Sequence, residues 1–153
     1  MTTSFAIALG SNRRTRHGSP QATLRAAIAR LGRVVAVSEI IGSAPVGPSA
    51  RRFANAVAII ESVEAPPDLL ARLKRLERAF ERRPGRRWGA RSLDCDIVLW
   101  SGGAWCGPGL TIPHPFFRER RFVLDPLAQV APDWRDPVSG HTVRQLRARA
   151  KRG

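Results

Sequence analysis

The sequence predicts an α+β sandwich, a mainly antiparallel sheet with helices packed on one side of it, and three observations lead there. Apolar, β-branched runs interleave with segments whose leucines recur at helical spacing. The interleaving lacks the regular alternation and glycine fingerprint of a dinucleotide-binding fold, and no Gly-Lys-Ser/Thr phosphate loop occurs. At 153 residues the chain has the length of one domain, long enough to bury a core without staples.

The elements follow in order. Phe5 to Leu9 reads as a buried strand, broken by Gly10-Ser11-Asn12. Pro20 to Leu31 carries Leu24, Ala27, Ile28 and Leu31 at helical spacing, with Ser19 as N-cap, Pro20 at the first helical position and Gly32 as its end. Val34 to Ile41 and Phe53 to Ser62 are strands, separated by a Gly/Pro/Ser-rich loop from Gly42 to Ala50 that could close over a ligand. Pro66 to Phe80 is the second helix, with Leu69, Leu70, Leu73, Leu76 and Phe80 as its core stripe. An arginine-rich loop, Arg82 to Arg91, precedes a strand from Leu93 to Trp100. Gly102 and Gly103 mark a tight turn, Leu110 to Pro115 is extended, Arg121 to Val130 is a short helix, and Thr142 to Arg149 is another. The basic end, 147 to 153, reads as a flexible tail.

The net charge of +14, with 24 Arg against 2 Lys, calls for an anionic partner: nucleic acid, a membrane surface or a nucleotide. Composition does not choose among them. Cys95 and Cys106 have neither zinc-site nor disulfide spacing, which suits a reducing cytoplasm. No apolar stretch nears the length that spans a bilayer, and Met1 to Gly10 lacks a basic leader.

The most informative stretch is Arg86-Arg87-Trp88-Gly89-Ala90-Arg91-Ser92-Leu93-Asp94-Cys95-Asp96-Ile97. On a strand, Asp94 and Asp96 share a face about 6 to 7 Å apart, close enough to share divalent ions spaced roughly 3.5 to 4 Å. Cys95 and Ile97 then point to the core.

With Ala8-Leu9-Gly10-Ser11-Asn12, Phe53-Ala54-Asn55-Ala56-Val57, Ile112-Pro113-His114-Pro115 and Arg120-Arg121-Phe122-Val123-Leu124-Asp125-Pro126-Leu127, this stretch closely resembles the 6-hydroxymethyl-7,8-dihydropterin pyrophosphokinase family over roughly residues 5 to 135. The resemblance implies a ferredoxin-like α+β fold and Mg²⁺-dependent transfer of pyrophosphate from ATP to the pterin hydroxymethyl group, leaving AMP, in folate biosynthesis. It assigns Asp94 and Asp96 to two Mg²⁺ ions and Arg82 and Arg91 to closure on the phosphates. Glu77, Ile97, Thr111, His114 and Arg120 fall to the nucleotide, and Ser43, Pro45, Phe53, Asn55, Trp88 and Phe122 to the pterin. The implied protein is a cytoplasmic monomer whose partners are ATP and the pterin, with no nucleic acid and no membrane.

The residue chemistry suits that reaction. A triphosphate carries about four negative charges, which paired carboxylate-held Mg²⁺ and bidentate arginines can offset. A loose phosphoryl transition state needs electrostatic stabilisation more than a strong base. Phe53 and Phe122 offer stacking faces to a flat heterocycle, and Asn55 offers both a donor and an acceptor to its edge.

Several positions depart from the family. Ile41-Gly42-Ser43-Ala44-Pro45 replaces Tyr-Arg-Thr/Ser-x-Pro. Lys74 stands for glutamine, Glu81 for glycine, Ala90 for proline and Ser92 for threonine, and the arginine loop is about one residue short. Two other readings stay open: a paralogue acting on or binding a related pterin, and a basic RNA-binding module, which here lacks the paired aromatics of an RNA-reading sheet.

Overall fold

The computed structural model describes residues 1–43, 53–81 and 92–151. Most of both predicted loops, with Pro45, Arg82, Trp88 and Arg91, lies outside these residues, as does the side chain of Ser43.

The chain runs β1 (Thr3–Ser11), α1 (Pro20–Ile28), β2 (Arg33–Val37), β3 (Ile41–Ser43), β4 (Phe53–Ser62), α2 (Pro66–Phe80), β5 (Asp94–Trp100), β6 (Trp105–Gly107), β7 (Leu110–Ile112), α3 (Arg121–Val130) and α4 (Val143–Arg149), with a 3-10 turn at Phe117–Glu119. The sheet order is β2-β4-β1-β5, β3 adds to β4, and every neighbouring pair is antiparallel. Each of α1 and α2 carries the chain over the sheet to a strand one position beyond the neighbour, the split βαβ arrangement of ferredoxin-like folds. β6 and β7 form a separate hairpin.

Helices cover both faces of the sheet, not one. Phe5, Ile7, Leu9, Ile60, Cys95 and Ile97 pack against Leu24 and Ala27 of α1 and Leu69, Leu73 and Phe80 of α2. On the opposite face Ala6, Val57, Ile59, Val98 and Leu99 meet Phe117, Val123, Leu124 and Leu127, with Val143 and Leu146 of α4 behind. The reason is visible in β4, where every residue from Ala54 to Ile60 is buried. A strand apolar on both faces needs a layer on each.

Four expectations need adjusting. β1 does not break at Gly10 but runs through it to Ser11, because Gly10 and Ser11 stay paired with Asn55 and Ala54 of β4. α1 starts as expected, with Ser19 Oγ accepting the Ala22 N–H at 3.2 Å. It ends at Ile28, because Arg30 and Leu31 turn to the carbonyls of Ala27 and Ile28 in tighter i to i+3 bonds. The strand expected from Val34 to Ile41 is two strands. Ser38 bonds Val57 through both its N–H and its Oγ, and the next N–H, of Glu39, leaves the sheet for Gln129 Oε1 at 2.8 Å. The expected tail is helical through Arg149, with a capping box of Thr142 and Gln145 at its start and Arg147 Nε donating to Asp125 at 2.8 Å.

Candidate active site

Strand register sets the floor of the site. Gly10 of β1 lies opposite Asp94 of β5 on one side and Asn55 of β4 on the other, so the three form one row across the sheet. The next row on that face holds Asp96, Ala8 and Val57. Opposed residues in an antiparallel pair point to the same face, so Asp94, Asp96 and Asn55 project together from the α3 side of the sheet. Both aspartates are half-buried and Asn55 is buried.

Gly10, between them, had no role that its sequence context alone suggested. A Cβ there would lie 3.3 Å from Asn55 Oδ1 and 3.5 Å from Phe53 Cδ1. Its missing side chain lets the Asn55 amide and the Phe53 ring lie close over this part of the strand. A glycine inside a strand was the available signal.

Cys95, between the aspartates, faces the other way and is 1% exposed. Its N–H donates to Glu77 Oε2 at 2.7 Å, and Glu77 Oε1 sits 3.4 Å from Lys74 Nζ. Among the described residues β5 is an edge strand, so Glu77 takes an N–H that no described strand pairs. Burial, and then the carboxylates of Glu77, Asp96 and Asp94, push the Cys95 thiol well above its ordinary range. Ile97 is also in the core, at 3% exposed, which leaves only its main chain for a ligand. Thr111 is exposed on β7, whose hairpin flanks β5.

His114, Arg120 and Phe122 come from the segment leading into α3. The His114 N–H donates to the Val98 carbonyl at 3.0 Å, which fixes that segment to β5. The Phe116 N–H donates to His114 Nδ1 at 3.1 Å, so in the neutral ring Nε2 carries the proton. Burial lowers the His114 pKa, Asp96 opposes that shift, and Arg120 adds to it. The Arg120 guanidinium lies 5.5 Å from the Phe116 ring centre and 5.7 Å from that of Phe122. Phe122 itself packs on the α3-side core.

No group of three or more His, Cys, Asp or Glu side chains forms a metal cage among the described residues. Two hard carboxylates on one strand face suit Mg²⁺, which keeps several waters and takes phosphate oxygens as its remaining ligands. The donor set therefore fits the ion.

Residues 6–132 match the family model for 7,8-dihydro-6-hydroxymethylpterin-pyrophosphokinase. The chain belongs to that family. It is similar to the 2-amino-4-hydroxy-6-hydroxymethyldihydropteridine pyrophosphokinase of Pseudomonas aeruginosa, 42% identical over 145 residues that cover 93% of this chain and 89% of that protein. The enzyme of that name from Synechocystis is 38% identical over 128 residues, covering 80% of this chain and 66% of that protein. Among solved structures, Plasmodium falciparum HPPK-DHPS with pteroate superposes with a TM-score of 0.72 at 15% identity, covering 97% of this chain and 42% of that one. That likeness establishes the ferredoxin-like pyrophosphokinase fold. No helix among the described residues is long and apolar enough to cross a membrane.

Proposed function

We propose that this chain transfers pyrophosphate from ATP to 6-hydroxymethyl-7,8-dihydropterin in folate biosynthesis, releasing AMP. The observation that carries this reading is the single row of Asp94, Gly10 and Asn55, with Asp96 one row behind, which sets a pair of carboxylates on the same sheet face as the Asn55 amide, next to the Phe53 ring. Asn55 would read the pterin edge, with Phe53 and Phe122 as its stacking faces. The hydroxymethyl oxygen would attack the β-phosphorus of ATP as the bond to the oxygen bridging the α-phosphorus breaks; AMP leaves with that electron pair, and the hydroxyl proton passes to water.

Asp94 and Asp96 are the residues that would hold Mg²⁺, taken as two ions, which would offset triphosphate charge and favour in-line displacement. His114, through Nε2–H, and Arg120 would donate to phosphate oxygens. Arg82 and Arg91 would complete phosphate binding, with Trp88, Ser43 and Pro45 on the pterin side and Thr111 and the Ile97 main chain at the nucleoside. Glu77 would serve the nucleotide indirectly, by holding the strand between the two aspartates. The protein is read as a single-domain cytoplasmic monomer that binds neither nucleic acid nor membrane.

AMP formation tests this. ATP, Mg²⁺ and protein should release AMP only when 6-hydroxymethyl-7,8-dihydropterin is added. Pterin binding without AMP would favour a paralogue with another substrate, and salt-sensitive RNA binding that survives alanine at both aspartates would favour the RNA-binding reading.

A further inference from the structure

The geometry points to Phe116 as a positioning residue of the nucleotide site, one that holds the Arg120 guanidinium and the His114 imidazole in a single rigid turn. The inference rests on the reading of those two side chains as phosphate contacts. Phe116 is large, apolar and 52% exposed, whereas its neighbour Phe117 is fully buried and anchors the turn in the core. Burial therefore explains Phe117 and leaves Phe116 without a packing role of its own.

Its contacts go to the two candidate ligands of phosphate. The Phe116 N–H donates to His114 Nδ1, and the Phe116 and His114 rings meet edge to face with centroids 6.1 Å apart. Arg120 Cζ lies 5.5 Å from the centre of the Phe116 ring. The turn is closed by Phe117 N–H to the His114 carbonyl, Glu119 N–H to the Phe116 carbonyl and Arg120 N–H to the Phe117 carbonyl. Arg118, inside it, is tied to the buried Asp136. The turn is thus fixed to the body of the protein, and the Phe116 ring extends that rigidity to the end of the Arg120 side chain.

A ring against the guanidinium occupies its face and leaves the N–H donors at its edge available to phosphate oxygens. It also restricts a long side chain before the ligand arrives, which lowers the cost of ordering it on binding. Phe122 alone is a weaker support, since the proposed reaction also uses its ring for the pterin.

The test is the steady-state KM for ATP, alongside the Kd for pterin and a thermal melt, in Phe116→Ala, Phe116→Tyr, Phe116→Leu, Arg120→Ala and the Phe116→Ala/Arg120→Ala double variant. Phe116→Ala should raise the ATP KM about 2- to 5-fold, with pterin affinity and melting temperature unchanged. Phe116→Tyr should restore the wild-type value and Phe116→Leu should not. The double variant should match Arg120→Ala, because the ring acts through the guanidinium. An unchanged ATP KM in Phe116→Ala beside a raised one in Arg120→Ala overturns the role of Phe116 alone, as would additive effects or rescue by leucine. An unchanged ATP KM in Arg120→Ala overturns the phosphate reading of Arg120, and the positioning role with it.

Discussion

Glu77 accepts a 2.7 Å hydrogen bond from the backbone N–H of Cys95, the residue that separates Asp94 from Asp96. A carboxylate on α2 thereby braces the edge strand that carries the proposed metal ligands. Removing it leaves a mostly buried N–H without an acceptor. Glu77→Ala should cost about 1.5 to 3 kcal/mol of stability in urea unfolding, and the Mg²⁺ concentration for half-maximal activity should rise. Glu77→Gln keeps an acceptor and should recover most of both. Wild-type stability in Glu77→Ala would mean that water replaces the carboxylate at the strand edge.

Gly10 lets Asn55 and Phe53 pack close over the floor of the site. Gly10→Ala would bring a methyl to 3.3 Å from Asn55 Oδ1, so the amide must give way. Overpacking of this kind typically costs about 1 to 3 kcal/mol, and here it should appear as weakened pterin binding with little change in the ATP KM. Equal losses for both substrates would show that the methyl disturbs the strand rather than the Asn55 amide.

Asp136 gives stability a dependence on acid. Burial alone would raise its pKa, but the guanidinium of Arg118, the hydroxyl of Ser139 and the N–H of Val138 outweigh it and hold the carboxyl at about 2 instead of 3.8. A depressed carboxyl pKa stabilises the fold above its ordinary value, and that stability is lost as pH falls towards the folded value. The contribution is about 2 kcal/mol at neutral pH. Asp136→Asn should lose it at pH 7 and converge with wild type near pH 2, as followed by urea midpoints across that range. Parallel curves for the two proteins would contradict the linkage.

The two thiols should differ in reactivity. Cys106 is exposed, while Cys95 is buried with its thiol pKa raised. A thiolate-directed reagent should modify one cysteine in the native protein and both in denaturant. Fast native modification of Cys95 would show that the edge of β5 opens.

The elements legible in the sequence were those with local signals. Phe53–Ser62, Pro66–Phe80 and Arg121–Val130 end where their apolar patterns end, and the face shared by Asp94 and Asp96 follows from strand periodicity. The break at Ser38 was hidden because it depends on Val57 and Gln129, far away in the chain. The two-sided helix cover does have a local signal, the unbroken apolar run of β4. Within the site, the brace from Glu77 and the close approach of Asn55 to Gly10 arise from strand register and helix packing, which residue spacing does not encode. Phe116 and Phe117 read as equivalent neighbours in the sequence, and only the fold buries one and turns the other onto Arg120.

The most direct measurement is pterin-dependent AMP release across a Mg²⁺ titration in wild type, Asp94→Asn and Asp96→Asn, with pterin binding measured in parallel. Loss of either carboxylate charge should lower kcat about 100-fold or more, while pterin binding by the folded variants should persist. Near wild-type turnover in either variant would contradict a reaction centred on metal held by this pair.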